Sequence, residues 1–541
     1  MRKKEETKSK TEALKKSGNQ GWPANYAGVM LQGFHWNSWE ETSWEKLTEQ
    51  SSELAKSFDI IWVPNSATVT SDEAHELEAT STGYDPLYWF RHNTIFGTEA
   101  QLRKMIKTFK RKGVGIIEDV VINHKKGKND WCDFVNEEWR GQKVEWTMAD
   151  ICSSDESSEF FTVTGNRDEG DDFGAFRDLD HTSANVQKNV KIYLDFLLND
   201  LGYRGFRYDM VKGYAGYYIG MYNDSSNPEF SVGEYWGEKA GIANWLRETG
   251  RYVSGDIGSA DNSKFTPQSA AFDFSLKEVI NKAFRSKFTP QALKDKGIAG
   301  WPGLSRWSVT FVDNHDTYRE TEFVMDNARH ILAANAFILT MPGTPCVFYP
   351  HWTAYKKALQ HMIAARKTAG ITNESAITVQ EVVNKGKGYR LRVDGKNGAI
   401  LLHLGEVKDD DLRGFRSVWH GDVDNDDFAM FVTLDCDLAV KRGERVVYFE
   451  APADWGKELY CKVSKFNLDE PGDKMKQATC SATGNPIYKW VYKGTNKKNP
   501  AKVEFSDNKG NKTEIFNFSI RGYYNAEGKA FNVNAIDEEK K

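Results

Sequence analysis

Apolar residues fall in eight short, almost unbroken runs along the first 350 residues: GVMLQGF (28–34), IIWVP (60–64), VGIIEDVVI (114–122), GFRYD (205–209), FSVGEYW (230–236), AAFDF (270–274), SVTFVDNHD (308–316) and TPCVFY (344–349). A strand covered on both faces gives such a continuous run, whereas a half-exposed strand alternates. Between the runs the spacing turns helical. In EAQLRKMIKTFKRKG (99–113), Leu102, Met105, Ile106 and Phe109 recur every three or four residues, and NVQKNVKIYLDFLLND (185–200) reads the same way. Eight buried strands alternating with helices predict an α/β fold, a closed (β/α)8 TIM barrel. A doubly wound sheet would carry a phosphate loop, and neither GxGxxG nor GKS/T occurs.

The pattern breaks twice. After His124 about 60 residues pass before the helix near Asn185, far beyond an ordinary βα loop, so an inserted subdomain is expected over about 125–184. Beyond residue 375 the helical spacing ends, and YRLRVD, AILLHLG and FAMFVTLD alternate like half-exposed strands. The organisation read from this is a polar tail (1–25), the barrel (26–375), a small antiparallel β-sandwich domain (376–441), a second β-sandwich unit (442–535) and a polar end (536–541).

Composition narrows the class. A chain of 541 residues with 28% charged residues and a net charge of -5 has no nucleic-acid footprint. Neither a run of roughly 20 apolar residues nor an apolar leader core occurs, so no membrane partner is expected. Location stays open between the cytoplasm and export with a leader absent; a monomer is expected. Aromatics reach 13%, with 17 tryptophans, which suits surfaces that stack on sugar rings. The six cysteines (132, 152, 346, 436, 461, 480) lack metal-ligand spacing and are read as free thiols; Cys461 and Cys480 form a candidate bridge if the protein is exported.

The chemistry lies at the ends of the runs. In such a barrel, polar residues at the carboxyl ends of strands face the active site. The third run ends in Asp119, Asn123 and His124, the fourth in Arg207, Asp209 and Lys212, the fifth in Glu234, and the seventh in Asn314, His315 and Asp316. Paired carboxylates are the minimum equipment for cleaving a glycosidic bond. Arg207, two residues before Asp209 on one strand face, favours the ionised form and makes Asp209 the candidate nucleophile. Glu234, beside Tyr235 and Trp236, is the candidate proton donor, held protonated by apolar rings. Asp316 would grip hydroxyls and stabilise positive charge at the ring, with His124 and His315 hydrogen-bonding the same sugar.

DVVINH (119–124), GFRYDMVKG (205–213), GEYW (233–236) and FVDNHD (311–316), with RDLDH (177–181), resemble the ordered motifs of the α-amylase superfamily of glycoside hydrolases. LQGFHWNSW (31–39), GDDFGAFRDLDH (170–181), ILTMPGTPCVFY (338–349) and GITNESAI (370–377) are similar to segments of plant-type α-amylases and their bacterial relatives. The resemblance covers about 26–435. It implies retaining, endo-acting hydrolysis of α-1,4-glucans such as starch, glycogen and maltooligosaccharides, with Asp209 as nucleophile, Glu234 as acid/base and Asp316 as transition-state stabiliser. It also implies substrate contacts from Tyr84, Asp119, His124, Arg207, Lys212 and His315.

The same resemblance implies a structural calcium ion, bound by side chains of Asn123, Asp172 and Asp178 and carbonyls of Ala175 and Gly213, an oxygen set suited to a hard cation. Many amylases carry His at the position of Gly213, although a carbonyl ligand needs no side chain. More loosely, the last β unit resembles a starch-binding module, with Tyr448, Trp455, Tyr460 and Trp490 as candidate stacking rings. Two alternatives remain at this level. One is a related enzyme preferring oligosaccharides, transglycosylation or branch points, separable by its products; the other is a non-catalytic glucan-binding protein, against which the presence of all three carboxylates counts.

Overall fold

The computed structural model describes residues 20–259, 261–319, 328–408, 410–423, 426–433, 444–464, 469–493, 501–518 and 521–529. Eight parallel strands, β1 (Met30–Gln32), β2 (Ile60–Val63), β3 (Gly115–Val120), β4 (Gly205–Tyr208), β5 (Phe230–Gly233), β6 (Ala270–Phe272), β7 (Ser308–Phe311) and β8 (Thr344–Phe348), close into a barrel in sequential order. Closure is direct: Met30, Leu31 and Gln32 pair with Cys346, Val347 and Phe348 on one side and with Ile60, Ile61 and Trp62 on the other. Every strand residue is buried, which is why the runs read as continuous. The helix Glu99–Arg111 turns Leu102, Met105, Ile106 and Phe109 inward, and a capping box between Thr98 and Gln101 starts it.

The tail boundary falls earlier than expected. Trp22 is fully buried and donates from Nε1 to Thr344 Oγ1 at the start of β8 (2.9 Å), while Arg306 donates to its carbonyl. Residues 20–25 therefore belong to the amino-terminal end of the barrel, because burying an indole outweighs the polarity of its neighbours. Residues 1–19 lie outside the described residues.

The long segment after β3 opens as a two-stranded ribbon, His124–Lys125 against Arg177–Asp178, and carries a small hairpin, Glu137–Trp139 with Gln142–Val144. Arg177 locks it from inside, buried and paired with Asp155 (3.0 Å) and Glu156 (2.7 Å).

The chain divides into two compact units, residues 1–363 with 372–375 and residues 364–371 with 376–541. The second unit holds a five-stranded antiparallel sheet built from β9 (Ala376–Val383), β10 (Gly388–Asp394), β11 (Ala399–Gly405), β12 (Phe415–Val423) and β13 (Asp426–Thr433) in the order β9-β10-β11-β13-β12. Its carboxyl-terminal part is a sandwich. One sheet contains Glu444–Glu450, Lys476–Cys480, Pro486–Lys493, Arg521–Asn525 and Gly528–Lys529; the other contains Tyr460–Val463, Asp473–Lys474, Ala501–Ser506 and Phe516–Phe518. The pairing of Glu444–Glu450 with Arg521–Asn525 is parallel, whereas the remaining pairings in these two sheets among the described residues are antiparallel.

Tyr448 and Trp490 are only 3% and 6% exposed. Trp490 lies in the sandwich core and donates from Nε1 to Asp473 (2.8 Å), and Tyr448 is covered by Lys489. Neither is a free stacking ring: Trp490 is part of the core, and Tyr448, on the opposite face of the strand from core residues Val447 and Phe449, is buried as well. Trp455 is half-buried against Phe449, and Tyr460 is half-buried beside Glu458. Cys461 is buried and Cys480 exposed, both as free thiols; Cys436, the boundary at 441/442 and the residues beyond 529 lie outside the described residues.

Candidate active site

Arg207, on β4 and wholly buried, organises the carboxyl end of the barrel. Its Nη1 touches Asp119 Oδ1 (2.7 Å) and Asp209 Oδ1 (2.6 Å), and its Nη2 lies 2.6 Å from Glu234 Oε1. The last contact is ionic without good hydrogen-bond alignment, since Glu234 Oε1 has no hydrogen-bond partner. The sheet ladder places these groups: Asp209 N–H donates to the Val120 carbonyl and Glu234 N–H to the Tyr208 carbonyl, both at 3.0 Å. Met210 then takes a positive φ of 46°, uncommon for a side-chain-bearing residue, and its N–H turns to Glu234 Oε2 (3.1 Å).

One buried guanidinium faces three buried carboxylates, and it cannot neutralise all of them. Burial pushes Glu234 up to about 8, with the charges of Asp209 and Asp316 adding to the rise and Arg207 opposing it. Asp209 is raised to about 6 by burial, again against Arg207 and with Asp119 and Asp316 adding. The group holding a proton at neutral pH is therefore Glu234. Neighbouring aromatics act differently from the sequence expectation: Trp236 lowers the Glu234 value through a hydrogen bond, and the rise comes from burial and from like charge.

Asp316 follows β7 in a closed turn in which Asn314 Oδ1 accepts from the N–H groups of Asp316 and Thr317. Its side chain is 30% exposed, against 10% for Asp209 and 7% for Glu234, so it is the most open of the three. Trp36 Nε1 donates to it (3.2 Å) and His315 Nε2 lies 3.3 Å away. The charge of Asp316 acts on both Asp209 and Glu234, so the three carboxylates border one space.

The expected sugar contacts divide. Tyr84 and His315 stand together beside Asp316, their rings parallel within 3°. His124 joins from the ribbon, with Nε2 on the Tyr84 carbonyl (3.0 Å), its ring stacked on Phe173 (4.2 Å between centroids) and its buried Nδ1 without a hydrogen-bond partner. Asp119 is different. It is fully buried and occupied by Arg207, by Trp62 Nε1 (3.1 Å) and by the Tyr84 hydroxyl (2.8 Å), so it supports Arg207 and Tyr84 from below and does not face a sugar. Arg207 is likewise consumed by its carboxylates. Lys212 pairs with Asp171 of the inserted segment (2.7 Å).

Two residues were missed from sequence, Gln32 and Trp36, both within LQGFHWNSW. Gln32 ends β1 and meets His315 Nδ1 at 3.0 Å. Their only signal was position at or just beyond the carboxyl end of a barrel strand, the same rule that found the carboxylates.

A second cluster includes Asp178 of the ribbon. Asp168, Asp172 and Asp178 offer carboxylate oxygens within 4.8 Å of one another. Asn123 donates to Asp178 (3.0 Å), and a Cβ on Gly213 would fall 1.8 Å from Asn123 Oδ1. Gly170 packs so closely on the 212–213 backbone that a Cβ would lie 2.2 Å from the Lys212 carbonyl oxygen. The buried Oδ2 of Asp168 has no hydrogen-bond partner, and Asp178 is raised to about 9 by burial and by its acidic neighbours. Crowded carboxylates with an orphaned oxygen fit a hard divalent cation. Asp168 was absent from the expected set; Ala175 lies on the exposed turn after Asp172.

The profile of the family described as "Alpha amylase, catalytic domain" matches residues 58–367. "Probable alpha-amylase 2" of Arabidopsis thaliana is 28% identical over 374 residues, covering 65% of this chain and 83% of that protein. "Glucan 1,4-alpha-maltotetraohydrolase" of Stutzerimonas stutzeri is 29% identical over 406 residues, covering 70% and 68%. Among solved structures, the "Gamma-CGTASE" from alkalophilic Bacillus clarkii superposes with a TM-score of 0.53 at 15% identity, covering 92% of this chain and 84% of that one; at that identity the likeness speaks for the fold alone.

Proposed function

The chain belongs to the alpha-amylase family, and from that premise we propose that it is a retaining glycoside hydrolase cutting internal α-1,4-glucosidic bonds of starch, glycogen and maltooligosaccharides. The observation that carries the reading is the single guanidinium of Arg207 in contact with both Asp209 and Glu234. Two carboxylates spanned by one planar group suit the separation of about 5 Å used in retention, rather than the wider gap of about 6.5–9.5 Å that admits a water for inversion.

The proton inventory assigns the roles. Asp209, ionised against Arg207, attacks the anomeric carbon; Glu234, holding its proton, delivers it to the departing glycosidic oxygen. The resulting glycosyl ester on Asp209 is hydrolysed by a water that Glu234, now ionised, deprotonates. Asp316, steadied by Trp36, faces the ring where positive charge develops. Tyr84, His124 and His315 supply a stacking face and hydrogen bonds, and burial of the whole group strengthens each of these interactions.

Asp168, Asp172 and Asp178, with Asn123 and the Gly213 carbonyl, would hold a structural calcium. It would neutralise the acidic cluster and tie the inserted segment to the turn after β4, which carries Asp209. The terminal sandwich is read as an accessory glucan-adhering unit, with half-exposed Trp455 and Tyr460 in place of the buried Tyr448 and Trp490.

The test is a time course of products from amylose with their anomeric form. Early fragments of mixed length in the α configuration support the proposal. A β-configured first product, or release of a single short oligosaccharide from chain ends, would overturn retention or internal attack.

A further inference from the structure

We infer that Gln32 fixes the tautomer of His315 and is thereby a positioning residue for the face of the pocket formed by Tyr84, His315 and Asp316. This rests on the reading of that pocket as the place where a glucosyl ring is held.

The inference follows from counting protons along a buried chain of hydrogen bonds. Asp119 is an acceptor held by Arg207, and the Tyr84 hydroxyl donates its only proton to Asp119 Oδ2 (2.8 Å). The same hydroxyl oxygen lies 2.5 Å from His315 Nε2, so in that contact the tyrosine can only accept and Nε2 must carry a hydrogen. His315 is 1% exposed and its pKa is pushed down to about 4 by burial, with Asp316 favouring the charged ring and Arg207 and Arg319 opposing it. The ring is therefore neutral and Nδ1 is bare. A bare nitrogen in a dry site requires a donor, and the Gln32 side chain supplies one at 3.0 Å. The count also settles which way the Gln32 amide faces, with NH2 toward the ring.

The direction is the same at every link: Gln32 to His315, His315 to Tyr84, Tyr84 to Asp119, with Arg207 joining Asp119 to Asp209. Such a chain strengthens cooperatively and has one consistent polarity. Its product is an Nε2–H aimed at the Tyr84 hydroxyl and at Asp316 Oδ2 (3.3 Å). With the other tautomer, Nε2 and the Tyr84 oxygen would meet as two acceptors, and the contact that ties Tyr84 and Asp316 to His315 would be lost.

The experiment is nitrogen-15 spectroscopy of the full-length chain labelled at histidine, the His315 signals being identified by their loss in His315→Gln. At pH 7 a protonated Nε2 with a bare Nδ1 is expected; a protonated Nδ1 or a charged ring overturns the inference without any assay of activity. Gln32→Glu places an acceptor against Nδ1, so His315 should change to the Nδ1-protonated or charged form, and an unchanged spectrum is contrary. Gln32→Met keeps the shape and removes the donor; kcat on maltooligosaccharides should fall about tenfold with KM little altered, and wild-type kinetics would be contrary. If the variants fail to fold, the wild-type spectrum decides. A wild-type chain inert on α-glucans would instead defeat the functional reading and leave the tautomer result standing.

Discussion

At the residue scale, the site works by unequal burial of similar groups. Asp209 and Glu234 touch one arginine, yet burial and neighbouring charge set them apart at about 6 and about 8. Catalysis needs the first ionised and the second protonated. The rate should therefore rise with pH through the lower value and fall through the upper, giving a bell in kcat/KM centred near neutrality; the two limbs belong to the coupled set rather than to single residues. A flat profile between pH 5 and 9 would be incompatible with these roles. Glu234→Gln and Asp209→Asn should each lower kcat on starch by at least about 1000-fold while the circular dichroism spectrum stays unchanged. Substitution of Asp119 should behave differently, lowering thermal stability as well as turnover, because it removes the buried acceptor shared by Arg207, Trp62 and Tyr84.

At the element scale, the barrel and its strand-end carboxylates were legible because each depends on a local pattern: continuous burial makes the run, and the carboxyl end makes the site. Asp119 was misassigned for the same reason. Its position at the end of β3 marks it as pocket-facing, but whether its oxygens are already occupied depends on Trp62 and Tyr84, remote in the chain. Asp168 was missed because a cluster closed by a 60-residue loop has no fixed spacing. Chelation should lower the melting temperature, and added calcium should restore it, since a ligand present at about 100 times its Kd stabilises by about 2.7 kcal/mol. Asp168→Asn should shift that titration to higher calcium; a melt indifferent to both would remove the cation from this cluster. In the terminal sandwich, periodicity does not reveal which face of a strand is covered, so core and surface rings looked alike. Trp490→Ala should cost about 3–5 kcal/mol in urea unfolding, as expected of a large core ring, rather than only weakening adsorption to starch.

At the scale of the whole molecule, the barrel gathers Gln32, Tyr84, Asp119, Asp209, Glu234 and Asp316 from five strands and one loop around Arg207 and His315, and no single segment carries the chemistry. Among the described residues no helix is long and apolar enough to cross a membrane. Domain order along the chain follows from where the periodicity changes, from continuous apolar runs with helical spacing between them to alternating strands beyond residue 375. The convergence of Asp209 and Glu234 on one linkage is best tested by trapping. Glu234→Gln should still accept an α-maltosyl fluoride, whose leaving group needs no proton, and should then be slow to release the sugar. Mass mapping of the quenched protein should find a maltosyl ester on the peptide carrying Asp209. A sugar attached to a different carboxylate, or hydrolysis to the β-anomer with no ester formed, would contradict the mechanism.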